Sequence, residues 1–422
     1  MLKPYVTVLG KAVRAVARLR GGGSALPGLV VEKIDPGFIK NTLDALPLGV
    51  VIISGTNGKT TTTKMVVELL QSQGIKVFTN RTGSNFTRGV AAALLGEVDM
   101  RGRLDADIAV LELDEAHAVH FVRTIPPKYS LILNVMRDQL DRFGEIDSTA
   151  NLLQTIASST SDTVVLNRED KRVTNLQNSL ITQRVCFFGL SDDLLETFPN
   201  DDQLHGGASH SSSMTADVLL SKFDGNNATF QIGEEIIKTP LKLTGIYNVY
   251  NAAAALVLVR AILGDSINQT TLIDALAKVT PAFGRGEKVT IHGQSLELVL
   301  VKNPSGFRLG LQSFDPTKCA TMIAINDNYA DGRDMSWLWD VTFETLKSSG
   351  VKQVSGIRAY DMGLRLKYDG VPVGSIDPNL TRAFKQFIHK NDKRPKRIYC
   401  TYTAMLALRR QASKLTDMES IG

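Results

Sequence analysis

Two hydrophobic periods alternate along this chain. Between residues 50 and 190, short β-branched runs recur at Val50–Ser54, Val77–Thr79, Ile108–Leu113, Ser130–Val135, Thr163–Leu166 and Val185–Phe188. The segments between them carry apolar residues at helical spacing, as at Met65, Val66, Leu69 and Leu70. Such alternation predicts a mostly parallel sheet with helices on both faces. A polar stretch from His205 to Ser213 then reads as a flexible loop. Val218–Phe223 and Thr229–Ile232 read as a hairpin, followed by an Ala-rich helix from about Asn248 to Leu263. After Arg285 the alternation restarts, with strands at Leu296–Val301, Thr321–Ile325, Val354–Ile357 and Ile398–Thr401 and helices at Trp337–Lys347 and Thr381–His389. The expected division is a segment 1–40, a central domain 41–290 and a smaller α/β domain 291–422.

The first twenty residues differ from the rest. Val6, Leu9, Val13 and Val16 fall on one helical face, and Lys11, Arg14 and Arg18 on the opposite one. Two readings are open: a basic amphipathic helix lying on an anionic membrane surface, or a helix packed on the protein with its basic face in water.

Composition changes this picture little. At 422 residues, 43% hydrophobic and 22% charged, the chain is of the soluble, two-domain class. No apolar run approaches the roughly 18 residues of a membrane span, and no secretory signal is evident. A net charge of +5 is too mild to suggest nucleic acid. Cys186, Cys319 and Cys400 stand singly, as buried thiols of a reducing compartment do, so a cytoplasmic protein is expected.

The candidate chemistry begins where the first strand ends. Gly55-Thr-Asn-Gly-Lys-Thr-Thr-Thr62 is a Gly-bearing turn that delivers Lys59 and Thr60 onto a helix start. Backbone N–H groups there can cradle phosphates; Lys59 can reach the terminal phosphate and Thr60 can hold magnesium. Ile53 stands where the common phosphate loop has Gly, so this is a variant, and it predicts binding of ATP or a close relative. Three polar clusters also end strands, where open α/β sheets bind ligands: Asn80–Asn85, Glu112–Glu115 and Asn134–Arg142. An acid there would be the second magnesium ligand. His117 and His120 lack a third ligand at convincing spacing, so no zinc is expected. The loop Asp327–Asp334 is too polar for core.

Together these residues resemble the Mur ligase superfamily. Glu112 in V-L-E-L-D-E matches its magnesium glutamate, Asn251 in N-V-Y-N its motif after the hairpin, and Arg285 in F-G-R-G-E an arginine that contacts nucleotide phosphates. The MurT-type branch, the synthetase subunit of lipid II isoglutaminyl synthases, is nearer still. The strings that carry it are R-D-Q-L-D-R-F-G-E-I-D (137–147), K-N-P-S-G-F (302–307), N-D-N-Y-A-D-G-R-D-M-S-W-L-W-D (326–340) and R-L-K-Y-D-G (365–370). The implied fold is a Mur ligase-like central ATPase domain with a mostly parallel sheet and a smaller C-terminal α/β domain. Gly55, Thr56, Asn57, Gly58, Lys59, Thr60, Thr61, Asn134, Asn251 and Arg285 would bind ATP, with Thr60 and Glu112 on magnesium. Two features depart from the relatives: about 40 residues precede the phosphate loop in place of a uridine-nucleotide domain, and a four-Cys zinc ribbon is missing. Gln139 stands where ordinary Mur ligases carry His.

The resemblance implies ATP-dependent amidation of the D-glutamate α-carboxylate of lipid II through an acyl phosphate, with Lys59 and Arg285 neutralising the transferred phosphoryl group. None of the three cysteines sits in an elbow suited to glutamine hydrolysis. A GatD-type glutaminase would therefore supply ammonia in a heterodimer, its Cys/His pair supported by Asp340, or next by Asp334. A self-sufficient ligase adding an amino acid and a non-catalytic nucleotide-binding scaffold are the alternatives.

Overall fold

The computed structural model describes residues 4–19, 25–80, 86–137, 146–198, 214–224, 227–243, 246–280, 285–389 and 392–416, without the side chains at 17–19, 25, 246 and 285–287. The loop at 205–213 and Gln139 lie outside this set. Three helices come first: α1 (Pro4–Leu19), α2 (Ala25–Ile34) and α3 (Phe38–Leu43). The order then runs β1 (Val50–Ser54), α4 (Lys59–Ser72), β2 (Val77–Thr79), α5 (Thr87–Glu97), β3 (Ile108–Glu112), α6 (Glu115–Thr124), β4 (Tyr129–Ile132), α7 (Ile146–Ser158), β5 (Thr163–Asn167), α8 (Lys171–Asn175) and β6 (Arg184–Leu190). Strands β7 (Val218–Asp224), β8 (Asn227–Ile232) and β9 (Glu235–Pro240) complete this sheet, ahead of α9 (Ile246–Leu263) and α10 (Gln269–Lys278).

The sheet order is β2-β3-β1-β4-β5-β6-β7-β8-β9, parallel from β2 to β7 and antiparallel beyond. Strand β1 is buried at every position, because successive side chains feed two cores. Val51 and Ile53 join the core built with α4 and α9, while Val50 and Ile52 join the one built with α1, α2, α3, α5 and α6. Helix α9, from Tyr247 on, is long and apolar enough to cross a membrane by length and composition, against the expectation that nothing approached that threshold. It is instead a core helix, with Ala252 to Val259 buried against α4 and strands β5 to β7.

The second sheet contains β10 (Arg285–Ile291), β11 (Gln294–Leu300), β12 (Ala320–Ala324), β13 (Gln353–Ser355), β14 (Ile376–Asp377) and β15 (Lys396–Cys400), in the order β10-β11-β15-β12-β13-β14. Helices α11 (Pro304–Gln312), α12 (Ala359–Tyr368), α13 (Leu380–His389) and α14 (Tyr402–Ala412) accompany it. Its first strand starts at Arg285, so the 290/291 division expected from sequence falls within β10.

Three expectations are corrected. Trp337–Lys347 is not one helix but two short turns, Ser336–Asp340 and Glu344–Leu346. The buried Arg365 guanidinium donates to the carbonyls of Leu338 (3.2 Å) and Val341 (2.6 Å), and Phe343 N–H donates to Asp369 (2.7 Å). Those tertiary partners take the backbone groups that a continuous helix would use. Strand β9 was not foreseen; Pro240 and its alternating exposed positions fit an edge. In α1 the supposed apolar face is divided: Val6 is buried and Val13 half-buried, whereas Leu9 and Val16 are exposed.

A single carboxylate fastens the loop beyond β4. Asp170 caps α8 by accepting from Arg172 N (3.0 Å) and Val173 N (3.2 Å), and it also accepts from Val135 N (2.7 Å). Asp170→Ala is expected to lower unfolding stability by about 3 kcal/mol: roughly 1 for the lost cap and about 2 for a stranded buried N–H. A urea titration checks this.

Candidate active site

The phosphate loop is held open by glycine at both ends. Gly55 has φ +126° and Gly58 has φ +92°, the region that favours glycine. A Cβ on Gly58 would also stand 2.5 Å from Asn251 Nδ2. Gly58 is the N-cap of α4 and offers no side-chain cap. The first-turn N–H groups of Lys59, Thr60 and Thr61 are therefore the anion-binding groups of this helix end. Thr61 is fully buried, and its hydroxyl has no hydrogen-bond partner among the described residues.

Neighbouring strands supply the rest, because β3 and β4 flank β1. Ile53 is in register with Glu112, so the carboxylate emerges beside the loop, and Thr60 Oγ1 donates to Glu112 Oε1 at 2.8 Å. Asn80 fixes Glu112 by accepting from its N–H (3.0 Å) and donating to its carbonyl (2.7 Å). From the other side Asn134 grips Asn57: its Oδ1 accepts from Asn57 N and its Nδ2 donates to Asn57 O, both at 2.9 Å. Thr56 Oγ1 donates to Met136 O (3.2 Å) and accepts from Met136 N (3.0 Å).

Lys59 folds over its own loop. Its Nζ donates to Gly55 O at 2.5 Å and lies 3.3 Å from Glu115 Oε1. Burial pushes the Glu115 carboxyl above its ordinary range, opposed by the Lys59 charge. Both side chains are buried, so a phosphate arriving at Lys59 would meet a group largely withdrawn from solvent.

The C-terminal domain reaches the same loop. Lys302 Nζ donates to Thr56 O (2.9 Å) and Asn303 Nδ2 to Asn57 Oδ1 (3.2 Å). Asn303 is fully buried and caps α11 by accepting from Gly306 N at 2.7 Å. Further along α11, Arg308 donates to the carbonyl of Asp340. Between the domains lies a cleft lined by Gly58, Asn251, Tyr247, Lys302, Leu309 and Phe314, among others.

Of the residues expected from sequence, Gly55, Thr56, Asn57, Gly58, Lys59, Thr60, Thr61, Glu112, Asn134 and Asn251 come together here. Arg285 is described by its backbone alone, paired in register with Val299, a lining residue of the cleft. Asp340 does not line it and sits on an exposed turn of the second domain. Glu115, Asn80, Lys302 and Asn303 belong to the site but were not assigned to it from sequence. Asn80 and Glu115 carried a signal, as polar strand-end residues; Lys302 is placed by a contact 246 positions distant, which no local pattern reveals. The described residues contain no group of three or more His, Cys, Asp or Glu able to hold a metal. Magnesium needs fewer protein ligands, and the adjoining Thr60 and Glu112 oxygens fit it.

Comparison with known proteins places both domains in a family. Residues 53–259 match the Mur ligase middle domain and residues 300–405 the MurT ligase C-terminal domain. The chain is 30% identical over 436 aligned residues to the lipid II isoglutaminyl synthase (glutamine-hydrolyzing) subunit MurT of Streptococcus pneumoniae, covering 95% of this chain and 94% of that one. It is 29% identical to the same-named subunit of Staphylococcus aureus, covering 87% of each. Among solved structures, the MurF ligase of Thermotoga maritima in complex with ADP superposes with a TM-score of 0.64 at 17% identity, over 90% of this chain and 83% of that one. By domain content and by likeness along nearly its whole length, the chain belongs to the MurT family of Mur ligases.

Proposed function

We propose that this chain is the ATP-dependent ligase subunit of a lipid II isoglutaminyl synthase, converting the α-carboxylate of D-glutamate in the lipid II stem peptide to an amide. The observation that supports it most directly is the convergence of Lys59 with the Thr60–Glu112 pair on one phosphate loop, in a chain of the MurT family. ATP would lie with its phosphates on the N–H groups of Gly58 to Thr61 and its base in the interdomain cleft, against Tyr247, Leu309 and Phe314. Thr60 and Glu112 would hold magnesium, which when bound offsets phosphate charge. A substrate carboxylate oxygen attacks the γ-phosphorus, ADP leaves, and an acyl phosphate forms. Lys59 stabilises negative charge on the transferred group, with Arg285 proposed beside it. Ammonia then adds to the carbonyl carbon, phosphate departs and the nitrogen loses a proton.

Ammonia would come from a glutaminase partner of the GatD type. Cys186, Cys319 and Cys400 are all buried, and burial pushes the Cys186 thiol up to about 11 and Cys400 up as well, the reverse of an activated nucleophile. Asp340 is proposed to support the partner's Cys/His pair. Asp331 is buried and bound to Thr403, and Asp334 is held below the usual carboxylate range by the Ser336 side chain and by Ser336 N, which donates to it at 2.8 Å. The Asp340 carboxylate is exposed and, among the described residues, has no side-chain partner. Exposed Trp339 packs edge-on against exposed Tyr368 beside it, the amphipathic aromatic surface that protein partners use. A cytoplasmic location, where ATP and reduced thiols coexist, goes with this reading.

The test is amidation of lipid II with ATP and magnesium, driven by glutamine or by ammonium, with the chain alone and with the partner. Asp340→Asn is expected to lose glutamine-driven product by ~10³-fold while keeping ammonium-driven product. ATP turnover stimulated by a free amino acid without any partner would sink the proposal in favour of a self-sufficient ligase.

A further inference from the structure

Two ammonium groups sit on consecutive carbonyls of the phosphate loop, one from each domain. Lys59 Nζ donates to Gly55 O at 2.5 Å, and Lys302 Nζ donates to Thr56 O at 2.9 Å. Lys59 opens α4, whereas Lys302 follows β11 of the second sheet. Their surroundings differ. Lys59 is buried, with the Glu115 carboxylate 3.3 Å away. Lys302 is half-buried and lines the interdomain cleft, and among the described residues that line this cleft it is the only charged one. Asn57 and Gly58 of the loop line the same cleft, so the amine and the start of α4 open onto one space.

The backbone beneath Lys302 is fixed by bonds other than its own. Asn303, the next residue, is fully buried; it accepts from Gly306 N at 2.7 Å and donates to Asn57 Oδ1 at 3.2 Å. Asn134 holds the backbone of Asn57 through its N–H and its carbonyl, both at 2.9 Å. The amine is therefore positioned over the loop before any ligand arrives. An ammonium has three hydrogens to donate, and the Thr56 carbonyl takes one of them. A phosphate oxygen, being ionised, is a stronger partner for it than a neutral carbonyl. We propose, on the nucleotide reading given above, that Lys302 is a second cation for the terminal phosphates, carried to the loop by the C-terminal domain and acting alongside Lys59. Bound triphosphate then ties the two domains together through one side chain.

The test is a calorimetric titration of the full chain with ATP and with AMP in the presence of magnesium, AMP being read by competition against ATP. Wild type, Lys302→Met and Lys302→Arg are compared. Methionine keeps the unbranched stem and removes the charge; arginine keeps the charge. Lys302→Met is expected to weaken ATP by roughly tenfold to a hundredfold, the scale of a lost hydrogen bond to a charged group, and to leave AMP within about twofold. Lys302→Arg should recover most of the ATP affinity. An equal loss for ATP and AMP would overturn the proposal and make Lys302 a latch between domains with no phosphate contact. ATP affinity unchanged in Lys302→Met would also overturn it, while leaving the nucleotide site itself intact. Failure of wild type to bind ATP would instead remove the nucleotide reading, and this role of Lys302 with it.

Discussion

Lys59→Ala is expected to lower ATP-dependent amide formation by roughly 10³-fold, the scale on which a preorganised cation at a transferred phosphoryl group acts. Two features of the site make the loss large and the fold tolerant. The Lys59 side chain is only 8% exposed and its Nζ bonds to Gly55 O, so its charge is held at one fixed place on the loop that a solvent cation would not reproduce. Its neighbour Glu115 already has a carboxyl raised by burial, so once Lys59 is gone Glu115 can take a proton and avoid an unpaired buried charge. The melting temperature should therefore fall by only a few degrees while turnover collapses. The measurement is initial rate of ADP release with substrate and ammonium, beside a thermal melt of the same sample. A residual rate within tenfold of wild type would show that Lys59 does not face the reacting phosphate.

Glu112→Gln is the second large effect, expected at about 10²- to 10³-fold in turnover together with a higher magnesium requirement. The substitution keeps shape and removes charge. Because Asn80 holds the Glu112 backbone through both its N–H and its carbonyl, the strand end stays in place whatever the side chain carries. Thr60 keeps a hydrogen-bond acceptor in the glutamine oxygen, so the start of α4 is also retained. What disappears is the negative charge proposed to hold a hard cation. Magnesium titration of turnover separates the roles: a rightward shift identifies a metal ligand, whereas a lower maximum at unchanged magnesium dependence would assign Glu112 a purely structural task.

The phosphate-loop half of the candidate site was legible because its signals are local. A β-branched run, two glycines and Lys-Thr within ten residues define strand, turn and helix start without reference to anything distant. Glu112 and Asn134 were legible for a related reason: parallel sheets gather strand ends on one edge, so a polar residue at each end converges with the others. The features that escaped depend on distant partners. Trp337–Lys347 has helical spacing, yet Arg365 and Asp369 intercept its backbone groups. Lys302 reads locally as a departure from a family pattern, and only the docking of the two sheets shows its amine on the phosphate loop. The misread face of α1 has the same origin. Both of its sides are apolar, and the choice between them is made by Gly10, whose missing side chain lets α2 and α5 approach.

The nine-residue α11 bridges two distant parts of the molecule. One end of it carries Asn303, hydrogen-bonded to the phosphate loop, and one turn on Arg308 holds the carbonyl of Asp340. A helix this short, about 13 Å, moves as a rigid strut. The phosphate loop and the Asp340 turn therefore share one brace, and the span between these two parts of different domains is set by the length of a single short helix.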